Sequence, residues 1–274
     1  MRLGLAAWGL REESLESQLR LTRSLGLDLL EFSIANYAKD VLQVGATTAQ
    51  ISEGKDAFRQ HGVRLECGCT GDDLTCGSIP AEVAKLREVI DISAALGLRI
   101  LRIFAGFSSD SAISSQRLEA ILEAFRELHD YATERSVTLC VETHGGVCVQ
   151  ENGSLLHFHS ITTRIDTWKR ILATGVSICY DPANLTAVGA VDAVRFYTLF
   201  KERIPYMHLK DFKDVDGGIV PAACGEGRLD WRAFAKATAD FNGIAVMEYE
   251  LPQDVEDGMR RSLTFLRQIG LYQG

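Results

Sequence analysis

The chain is predicted to be an α/β protein, a single closed (β/α)8 barrel over residues 1–274, from three observations. Short β-type runs alternate with longer amphipathic stretches from end to end, and eight such units average about 34 residues each, the size of a βα repeat. No Ser/Pro-rich linker, low-complexity tract or break in composition marks a domain boundary. The first β-run leads into Trp8-Gly9-Leu10-Arg11 rather than into a glycine-rich dinucleotide fingerprint, which favours a closed barrel over a doubly wound open sheet.

The β-runs are 2–8, 28–33, 63–69, 99–104, 137–143, 176–181, 205–209 and 243–249. Residues 2–8 are apolar enough to suggest a secretory signal, but Arg11, Glu12 and Glu13 cut the stretch short, so it reads as a strand. Helix periodicity is clearest over 80–96, where Val83, Leu86, Val89, Ile90 and Ser93 recur at steps of three and four. It is equally clear over 114–135, through Leu118, Ile121, Leu122, Phe125, Leu128 and Tyr131. Gly26, Gly62, Gly97 and Gly175 stand where helix C-caps are expected. The connections 34–46, 70–80, 105–113 and 144–163 read as loops that would shape a binding site.

Composition narrows the function. With 46% hydrophobic and 24% charged residues the chain can bury one large core. Its 29 Lys+Arg against 37 Asp+Glu leave a formal charge of −8, unfavourable for binding a phosphodiester backbone, so no nucleic-acid partner is expected. No apolar run approaches the roughly 20 residues of a membrane span, and no membrane partner is expected. Seven cysteines, an odd number in a chain too large to need disulfides, read as reduced, buried thiols of a cytoplasmic protein. Cys67 and Cys69 share one strand face without a second Cys/His pair at finger spacing, which argues against a zinc finger.

The chemistry lies in the second half. The last four β-runs carry Glu142, Asp181, His208 and Glu248 at or one residue before their ends, at separations of 39, 27 and 40 residues, about one repeat each. Counting back by two from Glu142 and Asp181 gives Cys140 and Thr138, and Cys179 and Ser177. The alternate positions are bulkier: Val137, Leu139 and Val141, then Val176, Ile178 and Tyr180. That alternation points the carboxylates into the barrel and the bulky residues at the helices. Parallel strands open these four ends onto one rim. Three carboxylates and an imidazole make a hard, oxygen-rich ligand set suited to Mn²⁺ or Mg²⁺, with Zn²⁺ or Co²⁺ also compatible. Without a cation such close carboxylates would repel one another.

Glu142-Thr143-His144, Asp181-Pro182-Ala183-Asn184, His208-Leu209-Lys210-Asp211, Gly225-Glu226-Gly227 before Asp230-Trp231, and Glu248 together resemble the xylose-isomerase-like TIM barrels. The resemblance covers nearly the whole chain. That superfamily includes sugar phosphate isomerases and epimerases, ketose 3-epimerases, hydroxypyruvate isomerases, inosose and dehydroshikimate dehydratases, and endonuclease IV. It implies Glu142, Asp181, His208 and Glu248 as metal ligands. Many ketose 3-epimerases have a His where this chain has Asn184, a substrate-contact position, while some sugar-phosphate relatives have Asn there. Endonuclease IV needs further His ligands on early strands, whereas strand 3 here ends Cys67-Gly68-Cys69-Thr70, so DNA repair is disfavoured.

The expected activity is metal-dependent isomerisation or epimerisation of a ketose, sugar phosphate or related hydroxy-ketone through an enediolate, with Glu142 and Glu248 exchanging the proton. The alternatives are a lyase that dehydrates a keto-polyol on the same scaffold, and a non-catalytic carbohydrate-binding subunit. A small-molecule sugar or keto-polyol is the expected partner, and a homo-oligomer is compatible with the family.

Around this centre, His144 shares the inward parity of Glu142 and is a candidate to contact substrate or a carboxylate. Lys210 is a candidate to steady a substrate oxygen, against a solvated loop lysine. Arg102, a charge inside a strand, is expected to pair with an acid such as Glu31 or Glu66, with substrate contact as the alternative. Arg228 is a candidate for the substrate's far end, and Trp8 for stacking on a sugar face or filling the barrel. His157 and His159 read as loop packing or pocket wall rather than a metal pair. Gly225-Glu226-Gly227 reads as a tight turn leading to a helix with Asp230 near its N-cap.

Overall fold

The computed structural model describes residues 1–36, 42–189 and 192–273. Eight parallel strands form the barrel wall: β1 (Arg2–Leu5), β2 (Phe32–Ile34), β3 (Cys67–Thr70), β4 (Ile100–Ile103), β5 (Thr138–Glu142), β8 (Ser177–Tyr180), β9 (Tyr206–Leu209) and β12 (Ile244–Met247). The order is β1-β12-β9-β8-β5-β4-β3-β2. The ring closes just before β2, where Leu5 N donates to Leu29 O and Glu31 N donates to Leu5 O, at 3.1 and 2.9 Å. The predicted (β/α)8 TIM barrel is therefore the observed fold.

The helices lie outside this wall. Three follow the early strands: α1 (Leu15–Ser24), α2 (Thr48–His61) and α3 (Ile79–Leu96). Ser14 caps α1, Thr47 and Gln50 form a capping box on α2, and Ser78 caps α3, each hydroxyl accepting a free first-turn N–H. Gly62 and Gly97 end α2 and α3 in the left-handed conformation that glycine adopts without a Cβ clash. At the first and fourth expected caps the helix instead ends before the glycine, on Leu25 and Ala173. Then follow α4 (Ser115–Thr133), α5 (Ile165–Leu172), α6 (Pro182–Ala187), α7 (Ala193–Phe200), α8 (Trp231–Ala237) and α9 (Val255–Gln268). Asp230 caps α8 by accepting from Ala233 N at 3.0 Å, as expected.

The alternation read along the strands separates two packed layers. Leu139, Val141, Ile178 and Tyr180 belong to the outer core between sheet and helices, where each buried aliphatic side chain contributes about 1.5–3 kcal/mol. Cys67, Cys140 and Cys179 fill the inside of the barrel with Ala6, Leu29, Ile100, Tyr206, Ile244 and Val246. Five of the seven cysteines are buried, whereas Cys76 and Cys148 are exposed, against the expectation for all seven.

Two connections are more ordered than expected. The stretch 144–163, read as loop, contains β6 (Gly146–Val149) and β7 (Leu155–Phe158). After β9 the chain forms β10 (Asp211–Val215) and β11 (Gly218–Ala222). The four join as an antiparallel sheet, β10-β11-β7-β6, formed by the connections after β5 and β9. The two-residue turn Asp216-Gly217 carried a strong hairpin signal. Of the predicted loop 34–46, residues 37–41 lie outside the described residues. No helix among the described residues is long and apolar enough to cross a membrane.

Candidate active site

Glu142 ends β5, Asp181 follows β8, His208 lies inside β9 and Glu248 follows β12, so parallel strands deliver all four to the C-terminal end of the barrel. All four are buried, His208 and Asp181 completely. Their donor atoms fall into two groups that share His208: Asp181, His208 and Glu248, and Glu142, Cys179 and His208, each spanning no more than 4.8 Å. Cys179 is therefore a potential donor beside the expected set. It lies two residues below Asp181 on the same face, and burial pushes its thiol up to about 12.

Local structure holds these side chains. Asp181 is the N-cap of α6, accepting from Asn184 N at 3.0 Å. The Thr143 hydroxyl accepts from Asp181 N at 2.8 Å, which ties the end of β5 to the end of β8. Asn184 donates its amide to Glu142 Oε1, Asp181 Oδ2 and Thr143 O, all at 3.1 Å, so it braces two carboxylates. Its Oδ1 is buried without a hydrogen-bond partner.

Lys210 is in the centre of the site rather than in solvent. Its Nζ lies 3.2 Å from Asp181 Oδ2, 3.0 Å from Glu248 Oε2 and 2.9 Å from Glu250 Oε1. Burial opposes the lysine's charge, but these carboxylates raise its pKa well above the ordinary value. Burial likewise opposes ionisation of Glu248, yet Lys210 and His208 hold it well below the carboxylate range. Burial dominates at Asp181, raised to about 7, and at Glu142, also raised.

Arg102 corrects an expectation. It pairs with Glu142, Nε to Oε2 at 3.2 Å, rather than with Glu31 or Glu66, and donates through Nη1 to Thr70 O at 2.8 Å. Glu66 is engaged instead by Arg2, Arg64 and Arg99, at the opposite end of the barrel. The Arg102 guanidinium also lies 4.2 Å from the centre of the Phe104 ring.

Two further acids join the site, Glu31, expected only as a partner of Arg102, and Glu250. Glu31 is wholly buried; it accepts from Tyr206 Oη at 2.7 Å and Ala7 N at 3.1 Å, and lies 3.2 Å from His208 Nε2. Burial raises its pKa, but His208, Arg102 and Tyr206 together bring it down to about 2. The only sequence signal was a charge inside the apolar run Leu27-Asp28-Leu29-Leu30-Glu31-Phe32. Glu250 was foreshadowed by its parity, two residues beyond Glu248.

The remaining candidates form the surroundings. His144 packs edge-on against Phe104 and Phe107 at 5.3 and 5.2 Å, and burial lowers its pKa to about 3, so it is neutral. Trp8 sits in a 3₁₀ turn after β1 with the Arg11 guanidinium 4.7 Å from its ring centre. Arg228 meets Asp214 at 3.7 Å. His159 lies 3.0 Å from the Thr163 hydroxyl, and the His157 ring packs edge-on against Phe212 at 5.0 Å. Asp181, His208 and Glu248 offer two carboxylates and an imidazole within 4.8 Å of one another, with an ammonium already against both carboxylates, and so fit a divalent cation in charge and donor type.

Residues 19–269 match the sequence model of the xylose isomerase-like TIM barrel family. An uncharacterized protein, y4fM, from Sinorhizobium fredii is 26% identical over 179 residues, 63% of this chain, and the chain spans about half (53%) of that relative's length. Among solved structures, the 3-keto-D-glucoside 4-epimerase YcjR of E. coli superposes with a TM-score of 0.74 at 15% identity, covering 98% of this chain and 99% of that one. The probable 3-DHS dehydratase AsbF of Bacillus anthracis gives 0.74 at 14% identity, over 97% and 98%. The IOLI protein with a bound zinc atom gives 0.71 at 15% identity, over 98% of each chain.

Proposed function

Because this chain belongs to the xylose isomerase-like TIM barrel family, we propose that it is a divalent-metal-dependent isomerase or epimerase of a ketose or related hydroxy-ketone. The observation that carries this reading is the grouping of Asp181, His208 and Glu248 donor atoms within 4.8 Å at the barrel's C-terminal end, with Glu142 within the same reach of His208. Asp181, His208 and Glu248 would hold the ion, with Glu142 completing the set from β5. Bound there, a divalent cation would polarise the substrate carbonyl and offset the charge of the enediolate. Similarity to an epimerase and to a zinc-bound protein supports this choice.

The chain's own residues would move the proton. Glu142 and Glu248 come from β5 and β12, which are separated in the ring by β8 and β9, so they approach a substrate from different sides. One removes the proton beside the carbonyl; the other returns it to the opposite face or to the neighbouring carbon. Arg102 and Asn184 hold Glu142 in place, and Glu31 with the Tyr206 hydroxyl orients His208. Lys210 would then move from the carboxylates toward a substrate oxygen, keeping its positive charge in the site. Phe104, Phe107 and the neutral His144 form an apolar wall that suits the C–H face of a sugar.

The test is a panel of ketoses and cyclic keto-polyols with Mn²⁺ in D₂O. Chelator-sensitive conversion with deuterium entering beside the carbonyl is the expected result. An α,β-unsaturated product would assign a dehydratase instead, and a protein indifferent to metal and to every ketose would reject the reading.

A further inference from the structure

His157 is the one histidine among the described residues with both ring nitrogens buried and without a hydrogen-bond partner. It lies in β7, opposite Val147 of β6. Leu155, two residues earlier and therefore on the same face, packs against Ala183, Phe212 and Ile219, so this face looks down onto the barrel. The His157 ring meets Phe212 edge-on at 5.0 Å, and Lys210 Nζ lies 5.6 Å from the centre of that same Phe212 ring. Burial, with the charges of Lys210 and Arg228, lowers the imidazole's pKa to about 4, so the ring is neutral at physiological pH. A neutral imidazole offers one N–H donor and one bare acceptor nitrogen. Buried polar groups are almost always paired, so two unpaired nitrogens on one buried ring call for a partner that the protein itself does not supply.

We infer that His157 is a substrate-binding residue, reading a hydroxyl of a polyhydroxylated substrate from the rim sheet above Lys210. The hydroxyl can donate to one ring nitrogen and another hydroxyl can accept from the other, as a diol of a sugar chain does. This assignment rests on the proposed sugar chemistry, and it makes β7 a specificity element rather than passive cover.

Replacement by Phe keeps the contact with Phe212 and removes both nitrogens, and replacement by Gln restores a donor and an acceptor. In the substrate-free protein, His157→Phe is expected to leave the melting temperature unchanged or raise it, since no internal partner is lost. A drop of several degrees would overturn the proposal by showing that the imidazole supports the fold, and this arm needs no turnover. With Mn²⁺ and the ketose turned over best, His157→Phe is expected to raise KM at least tenfold with kcat nearly constant, and His157→Gln to recover most of that loss. A deoxy analogue lacking the contacted hydroxyl is expected to be handled equally by wild type and His157→Phe. Unchanged KM in His157→Phe would overturn the assignment while leaving the ketose reading intact. Failure of every ketose would reject that reading, leaving His157 judged by two turnover-free measurements: the melting temperature and the His157 ¹⁵N shifts on adding a polyol such as xylitol. Unmoved shifts at saturating xylitol would overturn it.

Discussion

The Lys210 ammonium lies 3.0 Å from Glu248 Oε2, inside a set of carboxylates that would otherwise repel one another. Removing the lysine is therefore a sharper probe of the centre than removing a carboxylate. In metal-free protein, Lys210→Met leaves Asp181, Glu248 and Glu250 without their shared partner and is expected to cost about 3–5 kcal/mol, as breaking a buried ion pair does. Mn²⁺ should restore much of that stability, and thermal melts with and without the ion check both halves.

Glu248→Gln keeps the shape of the side chain but removes the proposed base and its ligand charge. Turnover in the Mn²⁺-loaded enzyme is expected to fall by about 10²–10⁴ with circular dichroism unchanged. Activity near that of the wild type would remove Glu248 from the proton transfer.

In the proposed metal site Glu31 acts through His208, which it touches at 3.2 Å. Its carboxylate, fixed by Tyr206 Oη and Ala7 N, faces Nε2 and sets the orientation of the ring. Glu31→Gln is expected to weaken metal affinity by about 10–100-fold, the range for losing a carboxylate behind a ligating histidine. Calorimetric titration with Mn²⁺ reads it directly.

Asp72 gives a pH-dependent signature. Burial raises its carboxyl from 3.8 to about 8, while Oδ1 accepts from Phe104 N and Oδ2 has no hydrogen-bond partner. Between those values the unfolded chain has released the proton and the folded chain still holds it, so this group's contribution to stability declines as pH rises. Asp72→Asn should abolish that decline, with a gain at pH 8 over pH 4. Even half the difference would be worth about 3 kcal/mol at about 1.4 kcal/mol per pKa unit. Melting temperatures across that window test it.

Asp211 organises the chain from β10 to α8. One oxygen accepts from Phe212 N and Leu229 N at 2.9 and 3.3 Å; the other accepts from Gly225 N and Gly227 N at 3.1 Å and Trp231 Nε1 at 2.7 Å. A Cβ at residue 227 would collide with that carboxylate, which is why the turn needs glycine there. Asp211→Asn turns an N–H group toward other N–H groups and is expected to cost about 2–4 kcal/mol. Urea unfolding would measure it.

Much of the site was legible before the fold. Glu142, Asp181 and Glu248 stand at the ends of β-type runs one repeat apart, and His208 lies near the end of its own; parallel strands can only bring such ends to one rim. Cys140 and Cys179 turned inward because strand alternation is strictly two. The rim sheet was missed because β6, β7, β10 and β11 are four or five residues long with glycines among them, and they pair with partners from another connection. Arg102 was given the wrong acid because Glu31, Glu66 and Glu142 all stand on or beside strands, and only the barrel's axial offsets choose among them.

Periodicity and spacing along the chain thus sufficed for the barrel, its inward faces and the delivery of Glu142, Asp181, His208 and Glu248 to one rim, since those depend on local repeat and strand direction. The place of Lys210 between three acids, the bracing of His208 by Glu31 and the burial of both unpaired His157 ring nitrogens depended on the packed molecule. Such contacts join residues tens to hundreds of positions apart, and their partners are set by how the closed ring staggers its strands in space.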